Sequence, residues 1–273
     1  MKTTHKNTWL LAVATLLALK TSNSFAGDGY ISIGGGYGIA TASQSLDVSG
    51  TSSSAELVKG TFGKGFQAGL VFGTMIRPNI GLELGASYLL GATIKSDYRT
   101  SSSYTDISQM SVKMLRLFPS IKIMSGSGRT QLYLKAGMAV GLAGKISASS
   151  SYGDFVLDER EEEYTGGIAI GFTGAVGADI PMSANSYFFA ELNFIAQSWA
   201  PSKGEITAYR VNGVDALSTI PVSERETEYV SSLSNSNSTS QRLKFYVPMS
   251  SVGINVGFRF SLSKKAAAAV KAS

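Results

Sequence analysis

Seven charged residues sit where they could act together: Glu83, Arg116, Lys122, Lys135, Asp179, Glu191 and Arg259, each flanked by apolar or very small neighbours. Carboxylates beside lysine and arginine can form ion pairs, line a charged gate, or exchange protons as acid and base. A second set is the run "DFVLDEREEEY", from Asp154 to Tyr164, whose oxygens suit Ca2+. It lacks the spaced Asp/Asn-Gly pattern of a dedicated calcium loop, and it reads as a solvated acidic loop. No metal and no cofactor is therefore expected. Histidine chemistry is confined to His5, and there is no cysteine.

His5 belongs to a segment with its own signature. Lys2 and Lys6 make a basic start, Trp9 to Leu19 is apolar apart from Thr15, and Ser24-Phe25-Ala26 offers small residues for cleavage. Residues 1–26 thus read as a secretory signal peptide, whose apolar part is too short for a stable membrane-spanning helix. Lys2, Lys6 and Lys20 would leave with it, so the balance of 24 basic and 19 acidic residues falls to 21 against 19. A charge that small in an exported chain argues against nucleic acid as a partner. Without histidine or cysteine, no Ser-His or Cys-His nucleophile, no disulfide and no Cys/His zinc site can form. The chain is expected not to be an enzyme, and catalytic residues are none.

The elements that would position the charges show a period of two. Candidate strands fall at about 29–42, 61–74, 80–95, 108–123, 130–146, 164–180, 187–203 and 240–262. The connections at 75–79, 124–129 and 181–186 are short and rich in turn residues, such as Arg77-Pro78-Asn79 and Gly126-Ser127-Gly128. Those at about 43–60, 96–107, 147–163 and 204–239 are long and polar, and the run Ser231–Gln241 is of low complexity. Strict alternation of short and long connections is the layout of an all-β, eight-stranded antiparallel up-and-down transmembrane β-barrel.

The two faces of each strand say which way the wall points. In 80–95, Ile80, Leu82, Leu84, Ala86, Tyr88, Leu90 and Ile94 share one face; Gly81, Glu83, Gly85, Ser87, Gly91, Thr93 and Lys95 share the other, interrupted by Leu89. A face turned to bulk water has room for large polar groups throughout, whereas this one is mostly Gly, Ala and Ser. Eight strands enclose a lumen only wide enough for side chains, so the small face points inward and the apolar face meets lipid. Apparent parity changes at Met114–Leu115 and at Pro248–Ser251 suggest bulges there.

On these residues the chain resembles the outer-membrane β-barrels of the OmpA/OmpX/OmpW-like eight-stranded type. "SSVGINVGFRFSL" looks like a closing strand ending on an aromatic, Phe260. "LRLFPSIKIMSGSGRTQLYLKAGMAVGLAGK" is similar to the central hairpin, with Tyr133 and Gly137 in a Tyr-x-x-x-Gly strand, and "GAVGADIPMSANSYFFAELNF" to the next, with Glu191 after its turn. The resemblance implies a barrel over residues 27–262 in the Gram-negative outer membrane, followed by a short periplasmic tail, 263–273. It also implies a monomer that meets outer-membrane lipids, lipopolysaccharide and the barrel-assembly machinery.

Three functional expectations follow. The first is a structural or surface-interaction role through long loops that meet an unnamed surface ligand. The lumen would be plugged by a network of Glu83, Arg116, Lys135, Glu191 and Arg259, the two glutamates facing Arg116 and Lys135, with Arg259 approaching less directly. The alternatives are a narrow pore or an OmpW-like transporter of small apolar molecules, for which Val71, Leu89, Phe118, Phe189 and Ile195 would have to share one level. Less favoured is a lipid-modifying enzyme built on a Ser-Lys or carboxylate pair.

Overall fold

The structure is a computed structural model that describes residues 29–41, 44–99, 104–125, 130–154, 156–233 and 240–262. The expected leader and tail, the Gly126-Ser127-Gly128 turn and residues 234–239 of the low-complexity run lie outside the described residues. Eight strands form the barrel: β1 (Gly29–Ala40), β2 (Gly65–Arg77), β3 (Ile80–Gly91), β4 (Thr105–Met124), β5 (Gln131–Gly153), β6 (Ala169–Pro181), β7 (Ser186–Trp199) and β8 (Ser251–Ser261). Each pairs antiparallel with its neighbours in sequence. β8 then pairs with β1, from Tyr30 opposite Ser261 to Ala40 opposite Ser251, which closes the ring and leaves no free edge in it.

Alternation sets the orientation. On β3, Leu82, Leu84, Tyr88 and Leu90 are exposed while Glu83 and Leu89 are buried. The same holds on the neighbouring β2, where Phe66 is 65% exposed, and across the ring on β6, where Phe172 is 71% exposed. A continuous apolar outer face and a buried polar interior are what a lipid-spanning barrel requires, and no described helix is long and apolar enough to cross a membrane.

Where they are described, the long connections are largely strand. β4 and β5 run past the apolar belt, paired from Met124 opposite Tyr133 up to Thr105 opposite Gly153. Residues Leu157–Thr165 add to β5, and Lys203–Val211 adds to them. On the other side Gln44–Thr51 and Ser54–Gly60 form a hairpin that reaches Ile94–Arg99. These extensions are mostly polar, with only scattered buried residues such as Ile206 and Tyr229, so no regular hydrophobic period announces them; they continue existing ladders of backbone pairing.

The expected bulge near Met114 has a different origin. Val112, Met114, Arg116 and Lys122 are all buried and of one parity, so the β4 pleat runs unbroken and Val112 and Met114 are apolar lumen residues. The register slip lies opposite, between Lys113 and Leu115, where β5 carries the extra residue and Ala143 adopts a φ of 49°. Around Pro248–Ser251 the pairing register with β7 is kept, but three consecutive residues, Val247, Pro248 and Met249, are buried.

Candidate functional site: the barrel lumen

Near the turn ends of the strands, six charges form an alternating chain. Lys135 bridges two acids, lying 2.9 Å from Glu191 and 3.1 Å from Glu83. Glu83 is 3.8 Å from Arg259, Arg259 pairs with Asp179, and Asp179 accepts a hydrogen bond of 2.8 Å from Lys122. The sequence from Glu191 to Lys122 is thus acid, base, acid, base, acid, base. Lys122 and Lys135 stand directly opposite one another on β4 and β5. Such like-charged neighbours are costly unless each has its own carboxylate, and here each does.

Neutral groups add hydrogen bonds to the two glutamates. The hydroxyl of Tyr30 donates to Glu83 at 2.7 Å and that of Tyr133 to Glu191 at 3.0 Å. Asn255 donates to the other Glu191 oxygen at 3.0 Å and accepts from Gln67 at 2.9 Å, while Arg259 donates to Ser32 at 3.0 Å. The tyrosine rings also receive the cations: Lys122 lies 4.2 Å from the Tyr133 centroid, and Arg259 lies 4.8 Å from that of Tyr30. Two glycines make room. Tyr30 pairs with Gly73 and Tyr133 with Gly177, and a Cβ there would meet the rings at 2.2 and 2.6 Å.

The far half of the lumen is apolar. Leu89, Val112, Met114, Trp199, Val247 and Met249 are buried together, with Phe62 and Ile146. The Trp199 indole N–H donates to the Gly166 carbonyl at 3.0 Å, so even its polar atom is satisfied. Between this cluster and the charge chain lies a cavity of about 110 Å3, with Val71, Phe118, Phe189 and Ile195 in its lining and Glu83, Lys135, Glu191 and Arg259 at its charged side. Leu89 is not among its lining residues, and Phe189 and Ile195 lie six residues apart on β7, so four of the five apolar residues singled out for transport line one cavity without forming a single level.

The expected network is rearranged in two respects. Arg116 meets neither Glu83 nor Glu191; it is wholly buried and gives its Nη2 hydrogen to the Met249 carbonyl at 3.1 Å. Its position, two residues from Met114 on the same face, carries it into the apolar half. Arg259 is not peripheral but joins Glu83 to Asp179. Lys122 and Asp179, identified by parity, belong to the chain, and Tyr30 and Tyr133, to which the strand pattern assigns no role, hydrogen-bond to it. The signal for the tyrosines was available: each is a large residue on a face otherwise kept small.

From Leu157 to Thr165 the acidic segment is extended strand, so its carboxylates alternate between faces instead of converging. Glu163 pairs with Lys145 at 2.6 Å, Glu161 with Arg210 at 3.3 Å, and Glu162 with Arg160, while Asp158 accepts from Tyr209 at 3.2 Å. Among the described residues no three acid or imidazole groups are placed to hold a metal ion. Farther out, Asp47 ties the first extension to the second. Partial burial opposes its charge, yet hydrogen bonds from Ser96, Ser108 and the Val48 amide outweigh it and hold the carboxyl below its ordinary value. Burial and the Asp47 charge push Asp106 the other way.

Closed pairing, an apolar outer belt and a charged, filled interior together describe a membrane barrel, and residues 9–200 match the outer membrane protein beta-barrel domain family. The chain belongs to that family. This outer-membrane barrel is also similar to the crystal structure of Acinetobacter baumannii CarO2, at 14% identity over 85% of this chain and 99% of that one, with a TM-score of 0.31. No curated protein matches it.

Proposed function

We propose that this outer-membrane barrel is a closed, non-catalytic scaffold that displays a β-structured platform at the surface of a Gram-negative bacterium. The observation that carries this reading is the double filling of the lumen, by an ion-paired chain at one level and an apolar cluster at another. A leader at residues 1–26 would export the chain, the barrel-assembly machinery would insert it as a monomer, and its belt would meet lipids and lipopolysaccharide. The extensions, largely polar and outside the apolar belt, are the surface left for an external ligand. Proteoliposomes in isosmotic small sugars or amino acids test the closed state: they should shrink and swell like protein-free vesicles, and rapid permeation would overturn it.

A second reading has one observation in its favour, the cavity that gathers Val71, Phe118, Phe189 and Ile195. A small apolar solute could lodge there, but it would have to pass the charge chain or the apolar cluster to leave. Uptake of a labelled apolar solute into the same proteoliposomes separates the two: the scaffold reading requires none above the lipid background.

A further inference from the structure

Lys113 and Lys145 stand directly opposite one another on β4 and β5, on the outer face of the wall. Lys113 is exposed between the buried Val112 and Met114, and the Lys145 side chain is 43% exposed. Like charges placed directly opposite in a ladder repel. In the lumen the equivalent pair, Lys122 and Lys135, has carboxylates for both bases. Outside, one carboxylate serves two lysines: Glu163 lies 2.6 Å from Lys145, and no ion pair among the described residues includes Lys113.

The backbone makes this pair. On the lower part of β5 the even-numbered Leu132, Leu134 and Met138 are exposed while Tyr133 and Ala139 are buried, so by parity Lys145 belongs inside. The extra residue in β5 reverses the pleat: Ile146 is buried and Lys145 turns outward, beside Lys113. Ala143 takes a φ of 49° to allow it, in the left-handed region that a residue with a Cβ seldom adopts. Ile146 joins the apolar cluster and so helps to hold the bulge, but that packing does nothing for the two cations.

The pair also lies on a border. Leu115, two residues below Lys113 on β4, is 37% exposed, and Leu90, directly opposite Lys113 on β3, is 50% exposed. On the other side the extension places Glu163 opposite Glu205. Negative charge therefore flanks the lysines toward solvent, and apolar surface flanks them toward the membrane. An anion carried by a lipid suits both flanks. A free anion arriving through solvent meets the glutamates first.

We propose that Lys113 and Lys145 together bind a phosphate group of a glycolipid in the outer leaflet, whose acyl chains lie along Leu90 and Leu115. A phosphate monoester carries about −1.5 to −2 charge at neutral pH and accepts charge-assisted hydrogen bonds from both ammonium groups, which removes their repulsion. The inference rests on the reading of the chain as an outer-membrane barrel with its extensions outside, and it gives the lipid contact a headgroup chemistry and a place on the belt.

The experiment refolds the full barrel into phosphatidylcholine vesicles containing either bisphosphorylated lipid A or the same glycolipid without its phosphates. Native mass spectrometry after extraction in non-ionic detergent then counts the glycolipid retained. The parent should keep the phosphorylated form and not the other, and inorganic phosphate in large excess should not displace it. Lys113→Gln and Lys145→Gln should each lower retention about fivefold. Lys203→Gln, in the same cross-strand row but beyond Thr165, should leave it unchanged. Equal retention of the two glycolipids by the parent, displacement by inorganic phosphate, or an equal loss in Lys203→Gln overturns the site, and the first two need no variant to fold. A parent that does not insert into the vesicles at all overturns the membrane reading as well, so the two failures are told apart.

Discussion

Near the turn ends the lumen is filled by Glu83, Lys135, Arg259 and Asp179; farther out it is filled by Leu89, Met114, Trp199 and Met249. The two fillings answer to different physics. Apolar packing gains with each buried group and degrades gradually when one is trimmed. A buried ion chain contributes little net energy when complete, because desolvation offsets attraction, yet it fails sharply when one member is removed. The same lumen therefore contains a forgiving seal and an exacting one, in series.

The comparison can be broken most forcefully at Arg259, which holds Glu83 and Asp179. Arg259→Met should cost on the order of 3–5 kcal/mol by leaving three buried acids with two bases, Lys122 and Lys135, read from the urea midpoint of heat-modifiable gel mobility. Adding Asp179→Asn should recover part of the loss, which no packing defect would allow. In the apolar half, Leu89→Ala should cost about 2–5 kcal/mol by the same assay, and no charge substitution should rescue it. Gly177→Ala is smaller, about 1–3 kcal/mol, because the new methyl meets the Tyr133 ring and disturbs its bond to Glu191.

The smallest effect lies outside the membrane. Asp106 is raised above its ordinary value, so at neutral pH its charge is penalised in the fold, and Asp106→Asn should slightly strengthen the extension. Asp47 has the opposite sign: its contribution is present above its ordinary value of 3.8 and fades as pH falls through the lower folded value. Protease protection of the extension should therefore rise in Asp106→Asn at pH 7 and fall in the parent under acid.

What was legible in the sequence followed the membrane. Alternation against lipid exposed eight strands, their inward faces and the charges on them, including Lys122 and Asp179. The extensions were not legible, because residues such as Ser147–Ser151 face solvent on both sides and carry no period. Pairing within the lumen was legible only in kind. Depth along tilted strands depends on stagger, and this is why Arg116 was assigned to Glu83 and Glu191 while it lies among apolar groups. Tyr30 and Tyr133 were hidden for a related reason: their function depends on Gly73 and Gly177 across the ladder, a relation no single strand reveals.

Two seals in series make a claim that planar-bilayer recording tests directly. The parent should show no steady conductance, and neither Arg259→Met nor Trp199→Ala alone should open a path, since each leaves the other filling intact. The double variant should conduct small ions. Steady conductance in the parent, or full opening by either single substitution, would contradict the account.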